Sequence, residues 1–303
     1  MQTNPRVGAG YSRPMPIESE PVNGSVESGL GNGGSGIDRS GVLGIDIGGS
    51  GIKGNLVDPS SGAVLAERFK LETPQPSVPD AVAAVVAKIV EHFEYDGPVG
   101  CTFPAIVKGG VTLSAANVDE SWIGCRAADL FAEATGLDVV VVNDADAAGI
   151  AEMAIGAGRD RTGVTLLLTF GTGIGSALFH DGVLIPNTEL GHIELEGHES
   201  VEDWTAARVK DDENLSWKSW AGRVNRLLGH LARILSPDLF ILGGGVSRRW
   251  DKWGKYLDVP TEIVPAALRN EAGIVGAALL ASSRIRSGPV PVLDVGMPPS
   301  VPS

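Results

Sequence analysis

The chain has 303 residues, of which 43% are hydrophobic and 20% charged, and its formal net charge is −13. This length and composition predict one large or two medium globular domains with enough apolar residues to form a core. The negative charge argues against general nucleic-acid binding, which requires a positive surface. It leaves open a polyanionic substrate that is held in a local basic groove.

The sequence predicts a cytoplasmic protein without a membrane partner. The apolar run at 81–90 is interrupted by Lys88, and no run approaches transmembrane length. The N-terminus lacks a positive segment followed by an apolar one, so we expect no signal peptide. Cys101 and Cys125 form neither a metal-ligand pattern nor a disulfide framework, which predicts free thiols in a reducing compartment.

Two tails flank the region in which we expect regular structure. Residues 1–40 are rich in Gly, Pro and Ser without apolar periodicity, and residues 287–303 are rich in Pro, so we expect disorder in both. Periodicity and turn residues predict the elements between them. The predicted strands are at 42–47, 52–58, 63–71, 98–104, 137–142, 163–170, 176–180, 183–185, 238–242 and 261–265. The predicted helices are at 78–93, 127–135, 216–235, 246–256 and 272–284, and Gly136 ends the second of them.

One arrangement occurs twice. A strand, a Gly-rich turn, a second strand and a hairpin follow one another near Asp46 and again near Thr169. In the second copy, Asp181-Gly182 is a strong hairpin signal. The repeat lies in the pattern rather than in residue identity, and it predicts two halves of similar plan.

Two polar residues end a run of four valines at 139–142. Asn143 and Asp144 follow these valines, and small residues come next. This pattern predicts a buried parallel strand that delivers both polar side chains to the carboxyl edge of a sheet, followed by a helix. Ligands bind at that edge in open α/β sheets. Asp144 is therefore either a base or the cap of the helix.

Gly-rich turns follow both strands of the repeat. Glycines allow backbone N–H groups to approach phosphate oxygens, so two such turns in matching positions predict two phosphate-binding hairpins that face each other across a cleft. For each turn alone, a plain hairpin stays possible. The first set is Gly48, Gly49, Ser50, Gly51 and Lys53, and the second is Thr169, Gly171, Thr172 and Gly173. Asp46, at the end of the first strand, is a candidate for holding hydrated Mg²⁺.

Three further glycines, Gly243, Gly244 and Gly245, connect a strand to a helix. They permit a flat ligand or another backbone to approach closely, and a plain connection is an equal alternative. A separate polar set suits a polyol such as a sugar, because each member offers directional donors or acceptors. This set is Asn117, Asn143, Asp144, Glu189 and His192, although His192 taken alone is more typical of a structural histidine.

In order and spacing, four segments resemble the ROK (repressor, open reading frame, kinase) family of sugar kinases. They are Asp46-x-Gly48-Gly49-Ser50, Asn-Asp-Ala-Asp-Ala-Ala at 143–148, Gly-Thr-Gly-Ile-Gly at 171–175 and Glu-Leu-Gly-His at 189–192. Further segments resemble the branch that contains polyphosphate glucokinases and polyphosphate/ATP glucomannokinases. They are 73–76, 115–119, 121–122, 185–187 and 270–278. The resemblance spans about 41–284.

The resemblance implies an α/β, actin-like ATPase (ribonuclease H-like) fold with duplicated domains around a central cleft. The implied domains are 41–145 and 146–271, with a helix at 272–286 packing back on the first. It also implies transfer of the terminal phosphoryl group of polyphosphate, ATP or both to the 6-hydroxyl of glucose, with mannose as a possible second acceptor. The product would be glucose 6-phosphate, the cofactor Mg²⁺ and the assembly a homodimer.

Residue roles follow from the same resemblance. Asp144 would be the catalytic base, and Asn117, Asn143, Asp144, Glu189 and His192 would bind the sugar. The loops at 48–51 and 171–173 would bind phosphate, and 243–245 the adenosine or its equivalent. Many members follow the Gly-His motif with zinc-binding cysteines, but no cysteine follows Cys125 here, so we expect no zinc. The sugar-binding Glu that follows those cysteines elsewhere is then Glu202 or Glu199.

A polyphosphate donor would need local positive charge on this acidic chain. Four cations beside the triple glycine are candidates for such a path: Arg248, Arg249, Lys252 and Lys255. Lys210, Lys218, Arg223 and Arg226 would continue it. The alternative is the solvated face of an amphipathic helix.

Four other functions compete with this prediction. A family repressor would need a DNA-binding helix pair that 1–40 does not supply. An ATP-dependent hexokinase with little use of polyphosphate and a non-catalytic sugar sensor share most of the site. An actin-like ATPase without a sugar substrate has no need of Asn117, Glu189 and His192.

Overall fold

The computed structural model describes residues 41–115 and 118–287. Asn117 and the two predicted tails, apart from Ser287, lie outside the described residues. The strands are β1 Val42–Ile47, β2 Ile52–Val57, β3 Phe69–Leu71, β4 Val99–Phe103, β5 Val107–Lys108, β6 Val111–Thr112, β7 Val139–Asn143, β8 Val164–Phe170, β9 Ile174–His180, β10 Val183–Ile185, β11 Leu239–Gly244 and β12 Glu262–Pro265. The α-helices are α1 Pro79–His92, α2 Ala127–Thr135, α3 Asp144–Ile155, α4 Glu202–Thr205, α5 Ala207–Asp212, α6 Trp217–Leu235, α7 Trp250–Trp253 and α8 Ala272–Ser287.

Two five-stranded sheets have the same strand order. The first runs β3-β2-β1-β4-β7 and the second β10-β9-β8-β11-β12. In each, the first three strands are antiparallel neighbours and the last three are parallel neighbours. The predicted repeat is thus confirmed. The predicted domain division at 145/146 stays a prediction, and it falls in the first turn of α3.

Three apolar clusters form the core. One packs α1 and α2 on the first sheet, and a second packs α6 on the other sheet. The third contains residues of both sheets together with α3 and α8. Helix α6 begins with a cap from Ser216, whose Oγ accepts from the N–H of Ser219 at 3.1 Å. Its buried face includes Trp220, Val224 and Leu231.

Helix α8 approaches the first sheet very closely. Gly44 of β1 and Gly100 of β4 face the helix, and a Cβ on either residue would collide with the backbone of Ile274 or Ala277. Glycine is required at both positions because of this close approach. It brings the start of α8 against Asp46: a Cβ on Gly273 would lie 3.2 Å from the Asp46 carboxyl carbon.

Two predicted elements differ from the structure. The strand predicted at 63–71 is regular only at Phe69–Leu71, because Asn55 Nδ2 donates to the carbonyl of Ala66 at 3.0 Å in place of a strand partner. The helix predicted at 246–256 is a 3-10 turn, the short α7 and a second 3-10 turn. Its start is interrupted because the indole N–H of Trp253 donates to the carbonyl of Val246 at 3.0 Å.

Short elements went unpredicted, namely α4, α5, the β5–β6 hairpin and the 3-10 turns Glu120–Trp122, Leu190–His192 and Arg269–Glu271. Cys101 is buried, Cys125 is half-buried, and both are free thiols, as predicted. Within 41–115 and 118–287, no helix combines the length and the apolar character needed to cross a membrane.

Candidate active site

Asn143 caps helix α3 and thereby fixes the position of Asp144. Its Oδ1 accepts from the N–H groups of Ala145 at 2.9 Å and Asp146 at 3.1 Å, and its Nδ2 donates to the carbonyl of Ala105 at 3.1 Å. Asn143 is buried. The sugar-binding role predicted for it therefore depends on its one remaining amide hydrogen.

Asp144 is exposed at the surface, but neighbouring protein atoms displace much of the water around its carboxylate. Its Oδ1 also accepts from the N–H of Ala145, at 2.8 Å, so it contributes to the cap. Loss of surrounding water raises the pKa of Asp144 to about 6, and the negative charges of Asp46 and Glu189 contribute to the rise. A carboxylate of this pKa is well matched to removing a proton near neutral pH.

Asp46 is half-buried at the end of β1, with a partner on each oxygen. Its Oδ1 accepts from the hydroxyl of Thr102 at 2.7 Å, and its Oδ2 lies 2.8 Å from Lys53 Nζ. The Thr102 hydroxyl in turn accepts from the N–H of Ile47 at 3.2 Å. Lys53 thus pairs with Asp46, and its predicted contact with phosphate stays a prediction.

The first glycine loop is held from both sides. Gly48 N–H donates to the carbonyl of Gly51 at 3.1 Å, and the buried Thr73 hydroxyl donates to the carbonyl of Gly48 at 2.5 Å. Gly49 and Ser50 are exposed at the tip. Lys70 crosses over Gly51, since its Nζ would lie 3.1 Å from a Cβ there.

Sequence reasoning assigned no role to Lys70 or Thr102. Both could have been found from strand pairing, because Lys70 lies opposite Lys53 and Thr102 lies opposite Asp46. Thr73 belongs to a segment already noted for its family resemblance, but its contact with Gly48 spans 25 residues and has no local signal.

The second glycine loop has a matching form. Gly171 N–H donates to the carbonyl of Gly173 at 2.9 Å. Thr169 in β8 corresponds to Asp46 in β1. Each lies in the second-last pair of residues that its strand forms with the next strand before the turn. The start of α5 supports this loop, because Arg208 N–H donates to the carbonyl of Gly171 at 3.2 Å and Arg208 Nε to that of Thr172 at 2.6 Å.

The triple glycine has two environments. Gly243 is buried within β11, and Gly244 lies so close to the backbone of Phe170 that a Cβ would collide with it. For Gly244, close approach of another backbone is therefore the reason for glycine. Gly245 is exposed with open space around its Cα, so a ligand can reach it.

Glu189, His192 and Glu202 lie together. Glu189 Oε2 is 3.8 Å from His192 Nε2, and Glu202 Oε2 accepts from the N–H of Ile174 at 2.9 Å. Burial raises the pKa of Glu189, the charge of Glu202 adds to the rise, and His192 opposes it. Glu199 is exposed, whereas the charge of Glu202 acts on Glu189, so Glu202 is the better candidate.

The cations of the predicted polyphosphate path differ in their partners. Arg248, Arg249, Lys252 and Lys255 are all exposed, with Lys252 Nζ 3.7 Å from Asp251 Oδ2. Three of the cations predicted to continue the path are in ion pairs, and their part in the path stays a prediction. The pairs are Lys210–Asp211 at 2.8 Å, Arg223–Glu213 at 2.5 Å and Arg226–Glu196 at 2.7 Å. Lys218 is exposed.

Two further observations concern metal binding and a surface depression outside the candidate site. Among the residues that the structure describes, no group of three His, Cys, Asp or Glu side chains could hold a metal ion. A separate depression of about 460 Å³ lies along α6, lined by residues such as Leu195, Asn225 and Arg233. None of the predicted catalytic, sugar-binding or phosphate-binding residues lines this depression.

The chain is similar to proteins of known activity. It is 52% identical over 238 residues to a polyphosphate glucokinase of Mycobacterium tuberculosis, with 78% of this chain and 89% of the relative covered. Among solved structures, it is 47% identical to the inorganic polyphosphate/ATP-glucomannokinase of Arthrobacter sp. strain KM, with a TM-score of 0.75, and 80% of this chain and 99% of that one are covered.

A more distant solved structure is a ROK family glucokinase from Streptomyces griseus in complex with glucose and AMPPNP. It is 25% identical with a TM-score of 0.68, and 80% of this chain and 99% of that one are covered. These structures confirm the actin-like ATPase fold, and the ROK family model matches residues 42–206. From this match and from the identity to the mycobacterial relative, we conclude that the chain belongs to the ROK family.

Proposed function

We propose that this chain is a glucokinase that transfers the terminal phosphoryl group of inorganic polyphosphate, and of ATP, to the 6-hydroxyl of glucose. The observation that carries the proposal is Asp144, an accessible carboxylate with a pKa raised to about 6, at the start of a helix and within electrostatic reach of Asp46 and Glu189. The names of the mycobacterial and Arthrobacter relatives support the donor and the acceptor. The glucomannokinase among them makes mannose the second acceptor to test.

In the proposed reaction, Asp144 is the general base. The 6-hydroxyl of glucose lies within about 2.6–3.2 Å of its carboxylate and gives up its proton there. The oxygen bonds to the terminal phosphorus as the bond from that phosphorus to the rest of the donor breaks. Glucose 6-phosphate and a shortened polyphosphate, or ADP, are the products. Phosphoryl transfer depends mainly on positioning and charge stabilisation, which the loops and sugar ligands supply.

The acceptor side is formed by Glu189, His192 and Glu202. The carboxylates accept from sugar hydroxyls, and the imidazole offers a donor or an acceptor. We assign Asn143 the role of N-cap of α3, which positions Asp144. At most one of its amide hydrogens is left for the sugar. Asn117 stays a predicted ligand.

The donor side is formed by the two glycine loops. Exposed backbone at Gly49, Ser50 and Thr172 provides N–H groups for phosphate oxygens. Lys70 has no ion-pair partner among the described residues and lies over Gly51, so we assign it to the donor phosphates. Gly245 is the member of the triple glycine with room for a nucleotide base.

The donor set fits a hydrated divalent cation, and Mg²⁺ in particular. Asp46 oxygens each keep a lone pair after bonding Thr102 and Lys53, so Asp46 can accept from the water ligands of a hydrated ion. Mg²⁺ keeps several waters and needs few carboxylates, whereas structural zinc would need thiolates or imidazoles that are not gathered in the described residues. When bound, the cation would screen negative charge on the donor phosphates.

The proposal is tested by incubating the purified protein with Mg²⁺, glucose and either polyphosphate or ATP, and measuring glucose 6-phosphate. We expect product with polyphosphate and with ATP. Product with ATP alone would instead make the protein an ATP-dependent hexokinase. Glucose binding without product from either donor would make it a sugar sensor.

A further inference from the structure

Asn187 connects two segments that are distant in sequence. Its backbone N–H donates to Asp146 Oδ2 at 2.8 Å, across 41 residues. Its side chain makes two hydrogen bonds across 80 residues, in which Oδ1 accepts from the N–H of Val107 at 2.8 Å and Nδ2 donates to the carbonyl of Val107 at 2.9 Å. Asn187 therefore joins the first turn of α3 to the first residue of β5.

These contacts complete a ring around the base of the candidate site. Asn143, three residues before Asp146, donates to the carbonyl of Ala105, two residues before Val107. The ring runs from Asn143 through Ala105, Val107, Asn187 and Asp146 back to the start of α3. Asp144 lies between two members of the ring in the sequence, Asn143 and Asp146. Glu189 follows a third member, Asn187, by two residues.

Asn187 is suited to this place by its backbone as well as its side chain. Its φ is 57°, in the left-handed region that asparagine adopts more readily than most other residues. Replacing the side chain with glycine would keep this conformation without strain, which separates the loss of the Val107 contact from a change in backbone shape.

Asp146 is a buried carboxylate, with only 1% of its surface exposed, and the proposed reaction does not use it. One carboxylate oxygen accepts from Asn187, and the other is buried with no hydrogen-bond partner in the described part of the chain. Burial raises the pKa of Asp146 to about 7, and Glu189 and Asp144 contribute through their charges. What the contact with Asn187 requires from this side chain is an acceptor oxygen rather than a charge.

We propose that Asp146 and Asn187 are positioning residues that fix Glu189 relative to Asp144 and thereby set the affinity for the sugar hydroxyls. They touch neither substrate nor donor. The inference rests on the proposed function, because it names the residues that place the acceptor side of the same site. It requires that their loss weakens glucose binding and leaves donor binding intact.

The test compares Asn187→Gly with Asn225→Ala. Asn225 is a matched control, because its side chain makes the same pair of contacts with one backbone residue, Asp258, at 2.8 and 3.3 Å, away from the predicted site residues. We expect Asn187→Gly to raise the KM for glucose about tenfold, as expected for loss of one to two hydrogen bonds, and to change the KM for polyphosphate less than about twofold. Asn225→Ala should change neither KM.

A second pair of variants covers the case in which Asn187→Gly fails to fold. Asp146→Asn keeps an acceptor for the Asn187 N–H and should keep the KM for glucose within about threefold, whereas Asp146→Ala should raise it about tenfold. Unchanged glucose KM in Asn187→Gly or Asp146→Ala, or equal rises for both substrates, would overturn the inference.

Calorimetric titration with glucose separates this inference from the proposed function. Weaker glucose binding by Asn187→Gly than by the wild type supports the inference without recourse to turnover. A wild type that phosphorylates glucose, with an Asn187→Gly variant that binds it equally well, overturns the inference alone. A wild type that neither binds nor phosphorylates glucose overturns both.

Discussion

The charge of Asp46 raises the pKa of Asp144, although the two carboxylates belong to the end of β1 and the residue after β7, with β4 lying between these strands. The parallel order β1-β4-β7 brings both strand ends to one edge of the sheet. Asp46 is itself paired with Lys53 and bonded by the Thr102 hydroxyl. The sheet thereby places a second carboxylate near the one that must accept a proton.

The first prediction concerns the pH dependence of turnover. Protonated Asp144 cannot act as a base, and its pKa is about 6, so kcat/KM for glucose should fall as pH drops through about 6 and should level off above it. The measurement is a pH profile of kcat/KM with polyphosphate as donor. A profile that stays flat down to pH 4.5 would argue against an elevated pKa at the base.

The second prediction concerns stability and Asp146. The folded chain holds the Asp146 proton up to about pH 7, whereas an aspartate in the unfolded chain has a pKa of about 3.9. Between these values the folded state binds more protons, so the free energy of unfolding falls as pH rises and is lowest above pH 7. Asp146→Asn removes this loss and should be more stable than the wild type at pH 8, by an amount on the order of 1–3 kcal/mol.

Denaturant unfolding of the wild type and Asp146→Asn at pH 5 and pH 8 measures this difference. The gap between the two proteins should widen as pH rises. A variant that is less stable than the wild type at pH 8 would show that the carboxylate is favourably paired when charged.

The third prediction distinguishes two groups of donor-side cations. Lys70 lies over the first glycine loop, so Lys70→Glu should raise the KM for both polyphosphate and ATP. Arg248 and Lys252 are exposed beside the triple glycine, and reversing both charges should raise the KM for long polyphosphate more than that for ATP. Steady-state kinetics with both donors at fixed ionic strength measures each effect, since exposed charges are screened by salt.

Arg126→Glu is the control for the third prediction, because Arg126 precedes α2, pairs with Asp129 and is not among the residues predicted to meet the donor. It should leave both donor KM values unchanged. Equal effects of the Arg248 and Lys252 reversals on the two donors would refute the polyphosphate path.

The fourth prediction concerns the packing of α8. Gly44→Ala places a methyl group against the backbone of Ile274 and should cost roughly 1–3 kcal/mol of unfolding free energy, since the helix must move off the sheet. Gly222→Ala in α6 is the control, because no atom lies within 4 Å of its added Cβ and alanine favours a helix by about 0.5–1 kcal/mol. Thermal unfolding of both variants should therefore shift in opposite directions. Equal shifts would contradict the close approach of α8.

Local patterns predicted most of the fold and part of the site. The valine run before Asn143 and the glycine turns are each encoded by adjacent residues, and the structure has both features. The sequence left Asp144 open as base or cap. The structure gives most of the cap to Asn143, a division that depends on which oxygen meets which N–H group.

Contacts across long sequence distances were beyond prediction. The hydroxyl of Thr73 meets Gly48 only after β3 has returned beside the loop, and Asn187 meets Val107 only because both sheets are in place. The pairing of Arg226 with Glu196, across 30 residues, likewise has no local signal. The helix predicted at 246–256 is interrupted where the indole N–H of Trp253 donates to the backbone carbonyl of Val246.

Asp144→Asn tests the central claim most directly. The amide keeps an acceptor for the N–H of Ala145 but cannot take a proton from the sugar, so the fold and glucose binding should persist while turnover is lost. With glucose and polyphosphate, we expect kcat below about a hundredth of the wild-type value and a glucose Kd within about threefold of it. A variant that retains more than about a hundredth of the wild-type kcat would contradict the assignment of Asp144 as the general base.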